Sequence, residues 1–443
     1  MSERVVITGL GWVTPLGHTP ESTWSALLAG ERGARQISHF DASTFPTRFA
    51  AEVRGFDWRS HVPDPDLHGP VERHTGFVLA AARQAWAQAK LPDLKVDRLG
   101  SGRSLLPARA GCYLGAGEGT QDLDRFVAAG LAGLDAGEGR VDAESFVAYA
   151  LQHFEAAREV GQECNMPVSH VALELGLGGF TSNCLTACAA STQAIGEAVA
   201  AIRHGDADVM LAGGAHTMIH PMGVTGFNRL TALSTRNDDP AGASRPFSRD
   251  RDGFVMGEGA GVVVLESERH ARDRGLVQED LLAEVAGYGS TADAYRITDI
   301  HPDGRGAAAA IWQALHEAGA DPQAVDWIAA HGTGTQENDG IETRAIHAVF
   351  GENPDAVPPV SSVKSMMGHL IAAAGVSQAI AGVLAIRDGV LPPTMNLDDP
   401  DPSLDLDYIA NASRQLPGGC DVVLSNSFGF GGQNDTLVLR SVR

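Results

Sequence analysis

Short apolar or β-branched runs recur along the chain and end in glycine or serine. They include "RVVITGLG" (4–11), "ARAGCYLGAGEGT" (108–120), "DADVMLAGGAH" (206–216) and "VDWIAAHGTGT" (325–335). Continuous apolar runs of this length read as strands buried on both faces. Small-residue and apolar runs of helical length alternate with them, such as 189–204 and 370–386. The alternation predicts α/β layering.

The pattern repeats. "STQAIGEAVAAIRHG" (191–205) resembles "VSQAIAGVLAIRDG" (376–389), and "DVML" (208–211) is echoed by "DVVL" (421–424). "GEGAGVVVLES" (257–267) matches "GGQNDTLVLRS" (431–441), and "VVITGLG" (5–11) pairs with "AEVAGYG" (283–289). The pairs keep the same order, which predicts two duplicated α/β halves, 1–275 and 276–443. The stretch 121–165 has no counterpart and carries helical spacing over 144–160, so it is expected to be an insertion, a cap or a dimer contact. Prolines and turn residues make 61–72 a surface loop.

Composition narrows the class. The 443 residues are 44% hydrophobic and 20% charged, enough for a large core. A net charge of −22 argues against a nucleic-acid binder. Five cysteines, an odd number, argue against a disulfide framework and point to a reducing cytoplasm. No signal pattern and no membrane-spanning run are expected.

Candidate chemistry sits at the ends of the apolar runs. Cys188, in "LTACAAS", directly precedes a helical run, where the dipole and free amides favour a thiolate nucleophile near neutral pH. A buried structural cysteine satisfies the same pattern. Cys184 reads as strand core, and the pair lacks the second ligand pair of a zinc site. His331 ends an apolar run and opens a turn bearing Thr333 and Thr335, where it faces a pocket or closes a loop. His369 follows Lys364 and Gly368 and precedes a second helical run, which keeps the ring neutral. The repeat gives it a place like that of Cys188 in the other half. "SNSFGFGGQN" (425–434) is a glycine turn able to offer backbone N–H groups to an oxyanion. "GLGWVT" (9–14) lacks the third glycine of a dinucleotide fingerprint, and "HTMIH" (216–220) lacks a zincin glutamate. The charge-dense "SRPFSRDRDGFVMGEG" (244–259) reads as internal ion pairing near the site.

Together these motifs resemble the β-ketoacyl-[acyl-carrier-protein] synthases, the elongating type within the thiolase superfamily. The resemblance runs from "VVITGLGWVTPLG" (5–17) through "TACAAS" (186–191), "HGTGTQENDGIE" (331–342) and "VKSMMGHLIAAAG" (363–375) to "NSFGFGGQN" (426–434). It implies a thiolase-like αβαβα core. It also implies Cys188 as nucleophile, with His331, His369 and Lys364 as catalytic partners. The N–H groups of Cys188 and Phe430 would form the oxyanion hole. Thr333 and Thr335 would hold a phosphopantetheine arm, and Phe227, Phe428, Phe430 and Thr298 would meet the substrate. The implied reaction joins malonyl-carrier protein to a Cys188-bound acyl chain, in fatty acid or polyketide synthesis, without metal or redox cofactor. The implied partners are acyl carrier protein and a second subunit, identical or ketosynthase-like.

The chain departs from that pattern in two places. Gln378 stands where a glutamate nine residues after the second histidine is usual, and that glutamate normally pairs with the lysine. The basic docking patch is thin: Arg73 with His74 beside it, Thr231 where an arginine is usual, and Arg229 as a substitute. A thiolase would carry a second catalytic cysteine, but Cys420 lies outside the glycine turn. A non-catalytic chain-length partner would typically lack the nucleophile.

Overall fold

The computed structural model describes residues 3–95, 105–117, 119 and 122–442. Ten strands make its main sheet: β1 (Val5–Val13), β2 (Ala110–Ala116), β3 (Thr181–Cys184), β4 (Val209–His216) and β5 (Gly259–Ser267), then β6 (Ala283–Ala292), β7 (Trp327–Ala329), β8 (Val360–Ser361), β9 (Val422–Gly429) and β10 (Gln433–Arg440). Six helices frame it: α1 (Arg73–Gln88), α2 (Met166–Leu175), α3 (Ala190–His204), α4 (Arg305–Ala318), α5 (Gln336–Phe350) and α6 (Ala374–Asp388).

Strand order is β8-β7-β9-β10-β6-β1-β5-β4-β2-β3. Read outward from the middle, each half repeats the same path, and each strand of the first half has its counterpart five strands later. β2 runs parallel to β3 and β4, as β7 runs parallel to β8 and β9. Among the described residues the sheet runs from one half into the other through two residue pairs, Val6 with Glu284 and Ile7 with Ala283. Loop backbone contacts, such as the bridge of Met256 with His369, and packed side chains do the rest. α3 and α6 pack on each other and touch strands of both halves, while α1 and α2 cover one outer face and α4 and α5 the other. The result is the five-layer αβαβα arrangement. One buried cluster joins Trp12, Ile195, Met210 and Val263 to Ile380, Leu384, Val423 and Leu439.

The glycines of "GLG" and "GYG" serve this layering. A Cβ on Gly11 would meet the Ala81 carbonyl at 1.8 Å, and one on Gly289 the Ala310 carbonyl at 2.0 Å. Each lets the outer helix of its half lie directly on the strand, which accounts for the fingerprint-like "GLGWVT" without a dinucleotide.

Two expectations change. β3 is the edge of the sheet and partly exposed, so Cys184 is a half-buried edge residue, its Sγ donating to the Ala190 carbonyl at 3.1 Å. The continuous helical run Ile371–Asp388 is long and apolar enough to cross a membrane, although 89% of it is buried inside the protein. A helix buried in the central layer is apolar over most of its circumference. The stretch after residue 121 forms helices Leu123–Ala132, Ala143–His153 and Ala156–Gly161 around a small hairpin, inserted between β2 and α2. Positions 118, 120 and 121 of that region lie outside the described residues.

Candidate functional site

Cys188 sits in a single 3₁₀ turn, Ala187–Ala189, that leads into α3. The turn is strained, with Ala187 at φ +47. A non-glycine residue in this region costs on the order of 1 kcal/mol and marks a position that the surroundings over-determine. The other half carries the same turn, Ile371–Ala373, with Ile371 at φ +46 just ahead of α6. The two turns pack on one another. Counted from the helix starts, the counterpart of Cys188 is Ala372. His369 therefore lies three residues upstream of the mirrored position and reaches across rather than sitting opposite.

The reach is short. His369 Nε2 lies 3.1 Å from Cys188 Sγ. His369 Nδ1 accepts the Ile371 N–H at 3.2 Å, so Nε2 carries the proton and points at sulfur. Gly257 N–H and the Val255 carbonyl pin the His369 backbone at 2.9 and 2.7 Å. The His331 ring stands 5.5 Å from that of His369, nearly perpendicular to it. Lys364 Nζ contacts the His331 carbonyl at 2.6 Å and Nδ1 at 3.5 Å. Accepting from the ammonium at Nδ1 leaves His331 with its own Nε2–H. The three ligand atoms of Cys188, His331 and His369 fall within 4.8 Å of one another, a spacing that a metal could also use. The tautomers argue against it, because a ring nitrogen that holds a proton is a donor and offers no lone pair.

Burial dominates the electrostatics. It pushes the Cys188 thiol up to about 11, against the Lys364 charge and the backbone N–H groups of Phe430 and Cys188, which pull the other way. The expectation of a thiolate near neutral pH, drawn from the helix end, omitted this desolvation. Burial, and then the Lys364 charge, hold both His331 and His369 far below the usual imidazole range. Burial lowers Lys364 itself to about 8.

Two acids missed in the sequence hold the turn after β7. Glu342 accepts N–H from His331 and Gly332 at 2.8 and 2.7 Å. Asp339 accepts from Thr333 and Gly334 at 3.1 and 3.2 Å. Both are buried on α5, three residues apart, and acids at that spacing on a buried helix face were the available signal.

A cleft of about 540 Å³ opens above these groups, lined by Cys188, His331, His369, Thr333, Thr335, Phe428, Phe430 and the exposed Thr298. Thr335 also caps α5. Phe428 packs on the His331 ring at 5.8 Å. Phe227 lines a neighbouring cavity of about 330 Å³ with Met218, Met222 and Leu230, and its ring stands 6.4 Å from that of Phe430 in the first cleft. Ion pairs behind the cleft join Arg245 to Asp252 at 3.0 Å and Arg251 to Asp401 at 2.8 Å. The thin basic patch becomes thinner still, since Arg73 is paired with Glu258 and His74 is buried.

The arrangement combines a buried thiol, two imidazole N–H donors, an ammonium with no carboxylate in contact among the described residues, and two backbone N–H groups at one end of a polar-lipped cleft. It can form a thioester on sulfur and hold negative charge on oxygen at two separate places.

Comparison with known proteins agrees with this geometry. The model of the β-ketoacyl synthase N-terminal domain matches residues 2–271, and that of the C-terminal domain matches 282–398. The chain is 40% identical to 3-oxoacyl-[acyl-carrier-protein] synthase 2 of Coxiella burnetii, over 99% of both proteins. It is 38% identical to the protein of that name from Vibrio harveyi, again over 99% of each. Among solved structures it resembles the ishigamide ketosynthase/chain length factor, with TM-score 0.84, 33% identity and full coverage of both chains. A type II PKS acyl-carrier protein in complex with its ketosynthase is as similar, with TM-score 0.84, 32% identity and full coverage. With the layered fold, the duplicated halves and both domain models in agreement, the chain belongs to the β-ketoacyl synthase family.

Proposed function

We propose that the protein catalyses decarboxylative condensation on carrier-protein thioesters, with Cys188 as the acyl-bearing nucleophile. The observation that carries this reading is the protonated His369 Nε2 at 3.1 Å from the Cys188 sulfur. The sulfur attacks the acyl thioester carbonyl, the old C–S bond breaks, and the carrier thiol leaves with the proton that Cys188 gives up. The malonyl group then loses CO₂, and the electron pair moves onto the thioester oxygen as an enolate. His331 and His369 donate to that oxygen through their Nε2–H groups. The enolate carbon attacks the acyl-enzyme. The N–H groups of Cys188 and Phe430 receive the tetrahedral oxyanion until the C–S bond breaks and Cys188 is released.

The second cavity, apolar through Met218, Met222, Phe227 and Leu230, suits the acyl chain, and the lip with Thr298, Thr333 and Thr335 suits the phosphopantetheine arm. The reaction needs no separate cofactor. We place the division between the halves at 275/276, and the partners as acyl carrier protein and a second copy of the chain. The intact Cys188, His331 and His369 favour a catalytic subunit over a chain-length scaffold.

Incubation with acyl-carrier protein followed by peptide mass mapping tests this. Acylation on Cys188, lost in Cys188→Ala, is expected. A wild-type protein unmodified by every acyl length tried would sink it.

A further inference from the structure

Lys364 is buried with no carboxylate within hydrogen-bonding distance among the described residues. Its side-chain partner is the amide of Gln378, whose Oε1 accepts from Nζ at 2.7 Å. The amide orientation is forced. Gln378 Nε2 faces three backbone carbonyls, those of Ala329 and Ala330 at 3.0 Å and Asn426 at 2.9 Å, and carbonyls only accept. The nitrogen must face them, so the oxygen must face the lysine. A glutamate here would pair one oxygen with the ammonium while setting its other oxygen against carbonyls that cannot donate to it.

We propose that Gln378 is a positioning residue for the condensation, an amide clamp that seats the Lys364 ammonium against His331 without cancelling its charge. This rests on the condensation reading above. The clamp ties three elements to one point: the end of β7 through Ala329 and Ala330, β9 through Asn426, and α6 through its own backbone. The groups facing the lysine are His331, His369 and Cys188 at the reaction centre, and Glu342 and Asp339 on α5. Both acids are already engaged, Glu342 by the backbone N–H of His331 and Gly332, and Asp339 by the turn N–H groups with Arg251 at 3.7 Å. The ammonium thus has no carboxylate in contact, feels Glu342 and Asp339 only at a distance, and holds its proton weakly. Burial brings Lys364 down to about 8.

The test is single-turnover condensation from pH 6.5 to 9.5, using full-length protein already acylated on Cys188 so that the thiol does not titrate. The wild-type rate should fall tenfold per pH unit above about pH 8. Gln378→Glu should move that limb upward by a unit or more, because a carboxylate retains the ammonium. Lys364→Arg, whose guanidinium stays charged, should abolish the limb whatever its maximal rate. A wild-type profile flat to pH 9.5, or variant profiles that superimpose on the wild type, would overturn the clamp while leaving the condensation reading intact. No ketoacyl product from the acylated wild type at any pH would remove both.

Discussion

At the scale of single residues, Cys188 poses a contest between local and environmental effects. The end of α3 and two backbone N–H groups favour its thiolate, and full burial opposes it and wins, leaving the thiol near 11. Only a small fraction is ionised at pH 7, and that fraction grows about tenfold with each pH unit. Iodoacetamide alkylation mapped to Cys188 should therefore climb steadily from pH 7 to 9. A plateau reached below pH 7.5 would mean that the amides and Lys364 outweigh burial. Cys184 provides an internal control. Burial raises it to about 12, with no cationic partner to oppose the shift, so it should react more slowly throughout.

At the scale of elements, the central contact is the approach of α3 and α6. Gly375 makes it possible, because a Cβ there would lie 2.0 Å from Thr192 Oγ1. That hydroxyl is itself fixed by Ser427 Oγ at 2.7 Å and cannot simply rotate away. Gly375→Ala should lower stability to urea by about 1–3 kcal/mol. It should also slow Cys188 acylation, because the Ala187 and Ile371 turns ride on these two helices. Thr192→Ala in the same background should recover part of both losses. Unchanged stability in the single variant would show that the helices slide past the extra methyl.

These helices also show how much the sequence revealed. The repeated runs 191–205 and 376–389 became α3 and α6, and every other repeated pair became a matched pair of strands, because duplicated apolar patterns leave duplicated elements. The reactive residues were legible because His331 ends an apolar run at a small-residue turn and Cys188 and His369 each stand just ahead of a helical run. The registration of His369 was not. A three-residue offset is smaller than the drift in spacing between the copies. Glu342 and Asp339 were also hidden, since only tertiary contact distinguishes an acid that grips a backbone turn from one on a solvated helix face. The edge position of β3 depended on strand order, which periodicity does not encode.

At the scale of the whole molecule, the face around β3 is unfinished. Among the described residues the strand pairs only with β2 and stands at the edge of the sheet. Phe180 and Leu185 flank it in exposed positions, and elsewhere the insertion exposes Leu131 and, at 83%, Leu151. An open edge beside apolar side chains invites another chain. Light scattering should therefore give a species near twice 46.4 kDa, and Leu151→Asp should shift it toward monomer at low concentration. A wild-type protein that stays monomeric at high concentration would contradict the proposed second copy.

The narrow seam between β1 and β6 has one more consequence. Two ladder pairs are few, so alignment of the halves falls to the packing of α3 on α6 and to loop contacts such as those that pin the His369 backbone. The thiol belongs to the first half, and its imidazole to the second. Until the halves shut, the chain carries an ordinary cysteine with no donor beside it. The Cys188–His369 pair thus exists only once both halves have docked.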